Sequence, residues 1–195
     1  MTDHDLTISF TVDGETAVVT GAAQGIGQAA AVALAQQGAD VACVDLDRLW
    51  AVNVKGSFHW AVAASRSMIP AGRGRIVLMA SQAALVSLPN QSAYTASKGA
   101  IASLARSLAI DWAKHGINVN AVCPTFIWTP MAAPMLEIPE VHAAAIRRIP
   151  LRRVGLPADV GGVIAFLCSP ASSLITGSVL PVDGGWTAGE PALPL

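Results

Sequence analysis

Short apolar runs rich in β-branched residues alternate along the chain with longer Ala-rich stretches whose apolar positions recur at helical spacing. After a turn at Asp13-Gly14, Thr16 to Thr20 reads as a buried strand, Gly21 to Gly27 as a glycine-rich turn, and the Ala-rich stretch to Gln37 as a helix stopped by Gly38. Val41 to Val44 is a second strand, ending at Asp45. A helix is predicted from Asp47 to Met68, closed by Pro70, and Gly72 to Gly74 then turn the chain into a strand from Ile76 to Ala80. Further on, the pattern predicts a helix over 92–114 and a strand over 117–122 stopped by Pro124. An irregular Pro-rich stretch over 124–156 holds one short helix near 141–148, and a helix over 158–168 precedes a last strand over 178–182. Strands alternating with helices imply an α/β fold, a three-layer α/β/α sandwich on a mostly parallel sheet. No repeat, low-complexity tract or linker interrupts the alternation, so residues 1–195 read as one domain.

Composition adds one thing to this picture. With 53% hydrophobic and only 13% charged residues, the chain carries more apolar surface than one core of 195 residues takes up, which predicts a homo-oligomer. A net charge of −1 without any like-charge block excludes the electrostatic footprint of a nucleic-acid binder. The N-terminal MTDHDLTISF carries acids and no apolar signal core, and no run of membrane-spanning length occurs, so a soluble, cytoplasmic protein is expected. Cys43, Cys123 and Cys168 sit in apolar runs without metal-ligand spacing and read as buried free thiols; no metal site is expected.

The glycine turn carries the first candidate chemistry. In Thr20-Gly21-Ala22-Ala23-Gln24-Gly25-Ile26-Gly27, missing Cβ atoms between a strand and a helix let backbone amides approach a pyrophosphate at the positive helix end. Asp45, at the carboxyl end of the next strand, is placed to accept hydrogen bonds from both adenosine ribose hydroxyls and to repel a 2′-phosphate, which favours NAD over NADP; it also reads as an N-cap of the next helix. Tyr94 is the only tyrosine, and Lys98 follows it one helical turn later on the same face. An ammonium about 5 Å from the phenol, at an effective dielectric near 20, favours the phenolate by about 3 kcal/mol and readies Tyr94 for proton transfer. Ser81 ends a strand at the carboxyl edge of the sheet, where its hydroxyl can hold a substrate oxygen.

Together, TGAAQGIG (20–27), Asp45, Asn53 in NVKG, Ser81, Tyr94-Thr95-Ala96-Ser97-Lys98, INVNAVCPT (117–125) and VDGG (182–185) resemble the short-chain dehydrogenase/reductase family over residues 12–187. The resemblance implies a Rossmann-like fold and hydride transfer with NAD(P) between a secondary alcohol and a ketone. It further implies Tyr94 as general acid/base, Ser81 polarising the carbonyl, Lys98 assisting Tyr94 and holding the nicotinamide ribose, and Asn53 supporting a proton-relay water. Gly21, Gln24, Gly25, Ile26, Gly27 and Asp45 are then cofactor-binding, with Tyr94 and Lys98 beside them. Ile127 would hold the nicotinamide carboxamide through its backbone and Thr129 through its hydroxyl. Thr125 stands where the family has Gly. In relatives the helices around Asn53 and Tyr94 and the C-terminal strand form the tetramer interfaces, so the resemblance implies that the expected homo-oligomer is a tetramer or dimer.

One stretch departs from the family. Only Leu46 to Val52 separate Asp45 from Asn53, so two of the family's strands are missing, since a single βαβ unit needs roughly 30 residues. Closure of Ile76–Ala80 directly onto Val18–Thr20 in one sheet is one expected response; an open slot with unpaired backbone is the other. The leading expectation is an enzyme of the family, and the alternative is a non-catalytic nucleotide-binding or oligomer-forming remnant. A serine hydrolase is disfavoured because His59, His115 and His142 lie in helical stretches without a nucleophile elbow. The substrate is expected to be a small polyol, sugar or 3-oxoacyl compound, held between Met131, Met135, Leu136 and Ile138 as apolar walls and Asn90 and Gln91 as hydrogen-bonding groups.

Overall fold

The computed structural model describes residues 16–20, 32–36, 38, 40–44 and 47–189. The chain divides into two compact units, residues 1–47 and 48–195. In the first, β1 (Thr16–Thr20) and β2 (Asp40–Val44) pair in parallel with Thr16 opposite Asp40. Helix α1 covers 32–36. Gly38 follows at φ 88°, a left-handed conformation that suits glycine, and its N–H closes on the Ala35 carbonyl at 3.1 Å.

From Asp47 onward the order is α2 (Asp47–Trp50), a π-helical turn (Ala51–Lys55), α3 (Gly56–Ala71), β3 (Gly74–Met79), α4 (Ser92–Trp112), β4 (Ile117–Pro124), α5 (Ala133–Leu136), α6 (Pro139–Arg148), α7 (Pro157–Cys168) and β5 (Val179–Val182). Strands β3, β4 and β5 form one parallel ladder in that order. Helix α3 runs one residue past Pro70, where a stop was expected. Near the helix end a missing N–H is cheap, and Gly72 at φ 64° ends the helix with N–H bonds from Gly72 to Ile69 O and from Arg73 to Met68 O.

Period-two alternation divides the ladder between two cores. Ile76, Leu78, Val119, Ala121 and Cys123 face one way and pack with Ala61 of α3 and Ile101, Ala105 and Leu108 of α4. Val77 and Val122 face the other way, against Val160, Ile164 and Leu167 of α7. The buried stripe on α4 (Ser97, Ile101, Ala105, Leu108) is the helical spacing legible in the sequence. Each large aliphatic side chain sealed in this way contributes about 1.5–3 kcal/mol. All these contacts lie within residues 48–195, so both faces of the ladder are covered inside this unit.

Two expectations are corrected. The ladders are β1–β2 and β3–β4–β5, so Ile76–Ala80 is not closed onto Val18–Thr20 in one sheet. β3 takes its ladder partner, β4, from within residues 48–195, where α3, α4 and α7 also pack on it. Cys123 is buried, but Cys168 is exposed, because it lies beside Leu167 at the end of α7 and turns away from the core that Leu167 enters. The side chain of Cys43 lies outside the described residues.

One glycine is indispensable to this packing. Gly116 links α4 to β4 at φ 70°, and a Cβ there would stand 2.3 Å from the backbone oxygen of Gly72. Gly116→Ala therefore carries both left-handed strain and a clash with rigid backbone, and we expect a loss of about 3 kcal/mol. Gly162→Ala in α7 meets open space and should gain about 0.5–1 kcal/mol. Urea unfolding of the two variants checks this; equal midpoints would refute it.

Candidate active site

The carboxyl ends of β3 and β4 carry the site. Ala80 continues the ladder through its N–H to Val122 O at 2.9 Å, and Ser81 follows in extended conformation as the N-cap of a short 3₁₀ turn, Gln82–Ala84. Its Oγ accepts the Ala83 N–H at 3.2 Å, which leaves the hydroxyl hydrogen available to a substrate oxygen. Tyr94 and Lys98 lie one turn apart on α4, with the ammonium 5.7 Å from the Tyr94 ring centroid. Tyr94 is exposed, and the Lys98 Nζ donates to the Met79 carbonyl at 3.0 Å.

A cavity of about 910 Å³ gathers Ser81, Tyr94, Ile127 and Thr129 onto one wall system. Of the expected apolar walls, Met131 and Met135 line it; Leu136 is buried at 1% exposure and Ile138 is exposed outside it. Asn90 and Gln91 line it as expected, and Asn90 adopts φ 60°, a left-handed conformation that Asn tolerates better than most residues. Two lining residues bear buried polar atoms without a hydrogen-bond partner, Gln82 Oε1 and Thr125 Oγ1. Such an orphan costs about 1–3 kcal/mol while it stays unpaired.

Asn53 occupies the π-helical turn between α2 and α3, an irregularity often found at functional positions. Its amide donates to Ser97 Oγ at 3.0 Å, and Ser97 Oγ donates to the Tyr94 carbonyl at 2.8 Å. Asn53 thus reaches the Tyr94 turn through a fully buried serine. Sequence reasoning missed Ser97 in this role, although it lies between Tyr94 and Lys98 on the helix. It also missed Gln82, whose only signal was its place directly after Ser81.

Electrostatics follow from burial. Desolvation pushes the Lys98 ammonium below its ordinary value, opposed by Cys123; the Cys123 thiol is pushed up, chiefly by burial, against the Ser81 backbone amide. Between the lowered Lys98 value and 10.5 the unfolded chain binds the proton that the folded chain has lost, so this group makes stability rise with pH. Cys123 works the other way above 9.0. The stability difference between wild type and Lys98→Met should therefore shift in favour of wild type as pH rises through that window. Urea midpoints measured across it check this, and a difference independent of pH would contradict it. Elsewhere, Arg153 bonds both oxygens of Asp159 at 2.7 and 2.8 Å and, with the Leu156 N–H, holds that carboxyl well below the usual carboxylate range.

The residues present fit the nicotinamide half of a dinucleotide. Ile127 pairs with Gly155 in a parallel bridge made by the flanking groups, Trp128 N–H to Gly155 O and Gly155 N–H to Phe126 O, each at 2.9 Å. Alternation of peptide direction therefore turns the N–H and C=O of Ile127 to the opposite side. Thr129 Oγ1 accepts from Ala132 N–H at 3.2 Å and keeps its own donor. Gly21, Gln24, Gly25, Ile26, Gly27 and Asp45, expected around the adenosine half, lie outside the described residues. Among the described residues no His, Cys, Asp and Glu side chains converge as a metal-ligand group, and no helix is long and apolar enough to cross a membrane.

Comparison with known proteins decides the family. The short chain dehydrogenase family model matches residues 15–48, and the model described as enoyl-(acyl carrier protein) reductase matches residues 44–187. The chain belongs to the short-chain dehydrogenase/reductase family. It is 44% identical over 144 residues to a tropinone reductase homolog of Arabidopsis thaliana, covering 74% of this chain and 54% of the relative. It is 41% identical over 162 residues to an NAD-dependent glycerol dehydrogenase of Listeria innocua, covering 83% of this chain and 63% of that one. The chain thus spans about half the length of the curated relatives it matches. Among solved structures it is similar to a gluconate 5-dehydrogenase from Burkholderia cenocepacia in complex with NADP and tartrate, with 25% identity and a TM-score of 0.69 over 92% of this chain and 97% of that one. The likeness to such short-chain dehydrogenase structures confirms the Rossmann-like architecture, here in shortened form.

Proposed function

We propose that the protein is an oxidoreductase interconverting a secondary alcohol and a ketone with NAD(P). The observation that carries this reading is the shared cavity of Ser81 and Tyr94 with Ile127 and Thr129, with Lys98 one turn along from Tyr94. In the oxidation direction the Tyr94 oxygen takes the carbinol proton while the Ser81 hydroxyl donates to the same substrate oxygen. Lys98 lies beside the Tyr94 ring, and its donors not spent on Met79 hold the nicotinamide ribose. Asn53 acts through Ser97 on the Tyr94 turn and supports the relay that returns the proton to water. When bound, the dinucleotide supplies the acceptor or donor of the hydride.

NAD is the proposed cofactor, with Asp45 on the ribose hydroxyls. The glycerol dehydrogenase relative is NAD-dependent, whereas the gluconate 5-dehydrogenase neighbour holds NADP, so both cofactors belong in the assay. A small polyol, sugar or 3-oxoacyl compound is the proposed substrate, in a cytoplasmic setting. Phe58 and Trp60 on α3 and Ile110 on α4 are exposed, the last two by about four-fifths (79% and 80%), and support self-association through these helices. A single monomer in analytical ultracentrifugation at micromolar concentration would contradict that part.

The assay is formation of reduced cofactor, read by near-ultraviolet absorbance, with NAD or NADP and a panel of secondary alcohols. Turnover with any of them supports the enzyme reading. Cofactor binding without turnover supports a second reading, a nucleotide-binding or oligomer-forming remnant, which the half-length match to relatives favours.

A further inference from the structure

We infer that His142 is a positioning residue for the nicotinamide end of the cofactor, acting through a ring contact with Trp128; the inference deepens the oxidoreductase reading and rests on it. Of residues 124–129, Trp128 alone does not line the cavity that holds Ser81 and Tyr94. Its ring meets the His142 ring of α6 instead, with centroids 5.9 Å apart and planes at 49°. His142 stands on the face of α6 that packs inward, in line with Ala145 and Ile149, which are buried at 3% and 0% exposure. The contact therefore ties the segment carrying Ile127 and Thr129 to a helix that does not itself line the cavity.

Peptide geometry carries this contact to Ile127. A planar trans peptide points its N–H and C=O in opposite directions, so a hydrogen bond at one end sets the aim of the other. Trp128 N–H donates to Gly155 O at 2.9 Å, which aims the Ile127 carbonyl away from Gly155. Gly155 N–H donates to Phe126 O at 2.9 Å, which aims the Ile127 N–H the same way. These are the acceptor and the donor proposed for the nicotinamide carboxamide. The Ile127 side chain is seated over Gly155, with Cδ1 in the place a Gly155 Cβ would take. The two peptides are held unequally. Phe126 packs on Trp186, centroids 5.5 Å apart, and Trp186 is buried at 6% exposure in the body of the fold. Trp128 is half-buried, and the ring it meets belongs to His142. Shortening His142 frees Trp128 to tilt its peptide, and the Ile127 carbonyl turns with it. Arg148, further along α6, lies over the Trp186 ring at 5.7 Å, so the helix keeps its place when His142 is shortened.

The test is calorimetry on the full chain, which reads binding without turnover. NADH and NADPH are compared with ADP-ribose and its 2′-phosphate, which lack the nicotinamide and keep the rest of each cofactor. Wild type should bind the tighter of the two reduced cofactors with an advantage over its nicotinamide-free counterpart. His142→Ala, a substitution that suits a helix, should cut that advantage about three- to tenfold, the worth of an aromatic pair, with the affinity of the nicotinamide-free ligand unchanged. His142→Phe keeps a ring against Trp128 and should retain the advantage. Trp128→Leu should reproduce the loss, and adding His142→Ala to it should cost nothing more. An advantage unchanged in His142→Ala, equal weakening of both ligands, equal losses in the Ala and Phe variants, or additive losses in the double variant overturns the inference and leaves the oxidoreductase reading standing. Wild type that binds a reduced cofactor without any advantage overturns the inference too. Wild type that binds neither reduced cofactor overturns both.

Discussion

Tyr94→Phe should lower turnover of every accepted alcohol by about 10²–10⁴-fold, the usual contribution of a positioned proton donor or acceptor, while cofactor binding stays within a few fold of wild type. Only one oxygen is removed. The ring remains beside Lys98, and the buried side of α4, from Ser97 to Leu108, is untouched. A modest stability change with a large loss in kcat is therefore the expected signature, checked by steady-state kinetics alongside thermal unfolding. Retained turnover would remove Tyr94 from the mechanism. Unfolding of the variant is unexpected, because Tyr94 is exposed rather than part of the core.

Ser81→Ala is the second large effect, about 10²–10³-fold in kcat, the scale seen when one preorganised donor to a developing oxyanion is removed. The hydroxyl also accepts the Ala83 N–H, so its loss frees that amide and loosens the turn that carries Gln82. Ser81→Thr keeps both donor and acceptor and should recover much of the rate if the hydroxyl, rather than the turn alone, is what matters. Equal loss in the Ala and Thr variants would assign Ser81 a structural role. Michaelis constants separate the two roles as well, since a disturbed Gln82 wall raises KM whereas a lost oxyanion donor lowers kcat.

The elements from β3 to β5 were legible because their signals are local: period-two alternation in IVLM and INVNAV, a four-residue stripe on α4, and glycines where the backbone turns left-handed. The end of α3 was expected at Met68 and lies at Ala71, because a helix end tolerates the missing N–H of Pro70 that its middle does not. Short helix α5 escaped notice because four residues carry too little periodicity. Ser81, Tyr94, Ile127 and Thr129 were legible through a family pattern, and the structure brings all four to one cavity. What the sequence hid was pairing between side chains distant along the chain. That Asn53 is bound to Ser97, and that Gln82 Oε1 has no partner, depends on rotamers set by packing, which no spacing rule encodes. Thr125 was visible as a departure from the family, but its unpaired hydroxyl was not.

The decisive measurement is isotope transfer. A secondary alcohol bearing deuterium on its carbinol carbon is incubated with the full chain and oxidised cofactor, and the reduced cofactor is weighed by mass spectrometry. The account predicts one deuterium carried into the cofactor by wild type, and transfer lowered by at least about a hundredfold in Tyr94→Phe under the same conditions. Bound cofactor that stays unlabelled with wild type, or equal labelling by wild type and Tyr94→Phe, would contradict it.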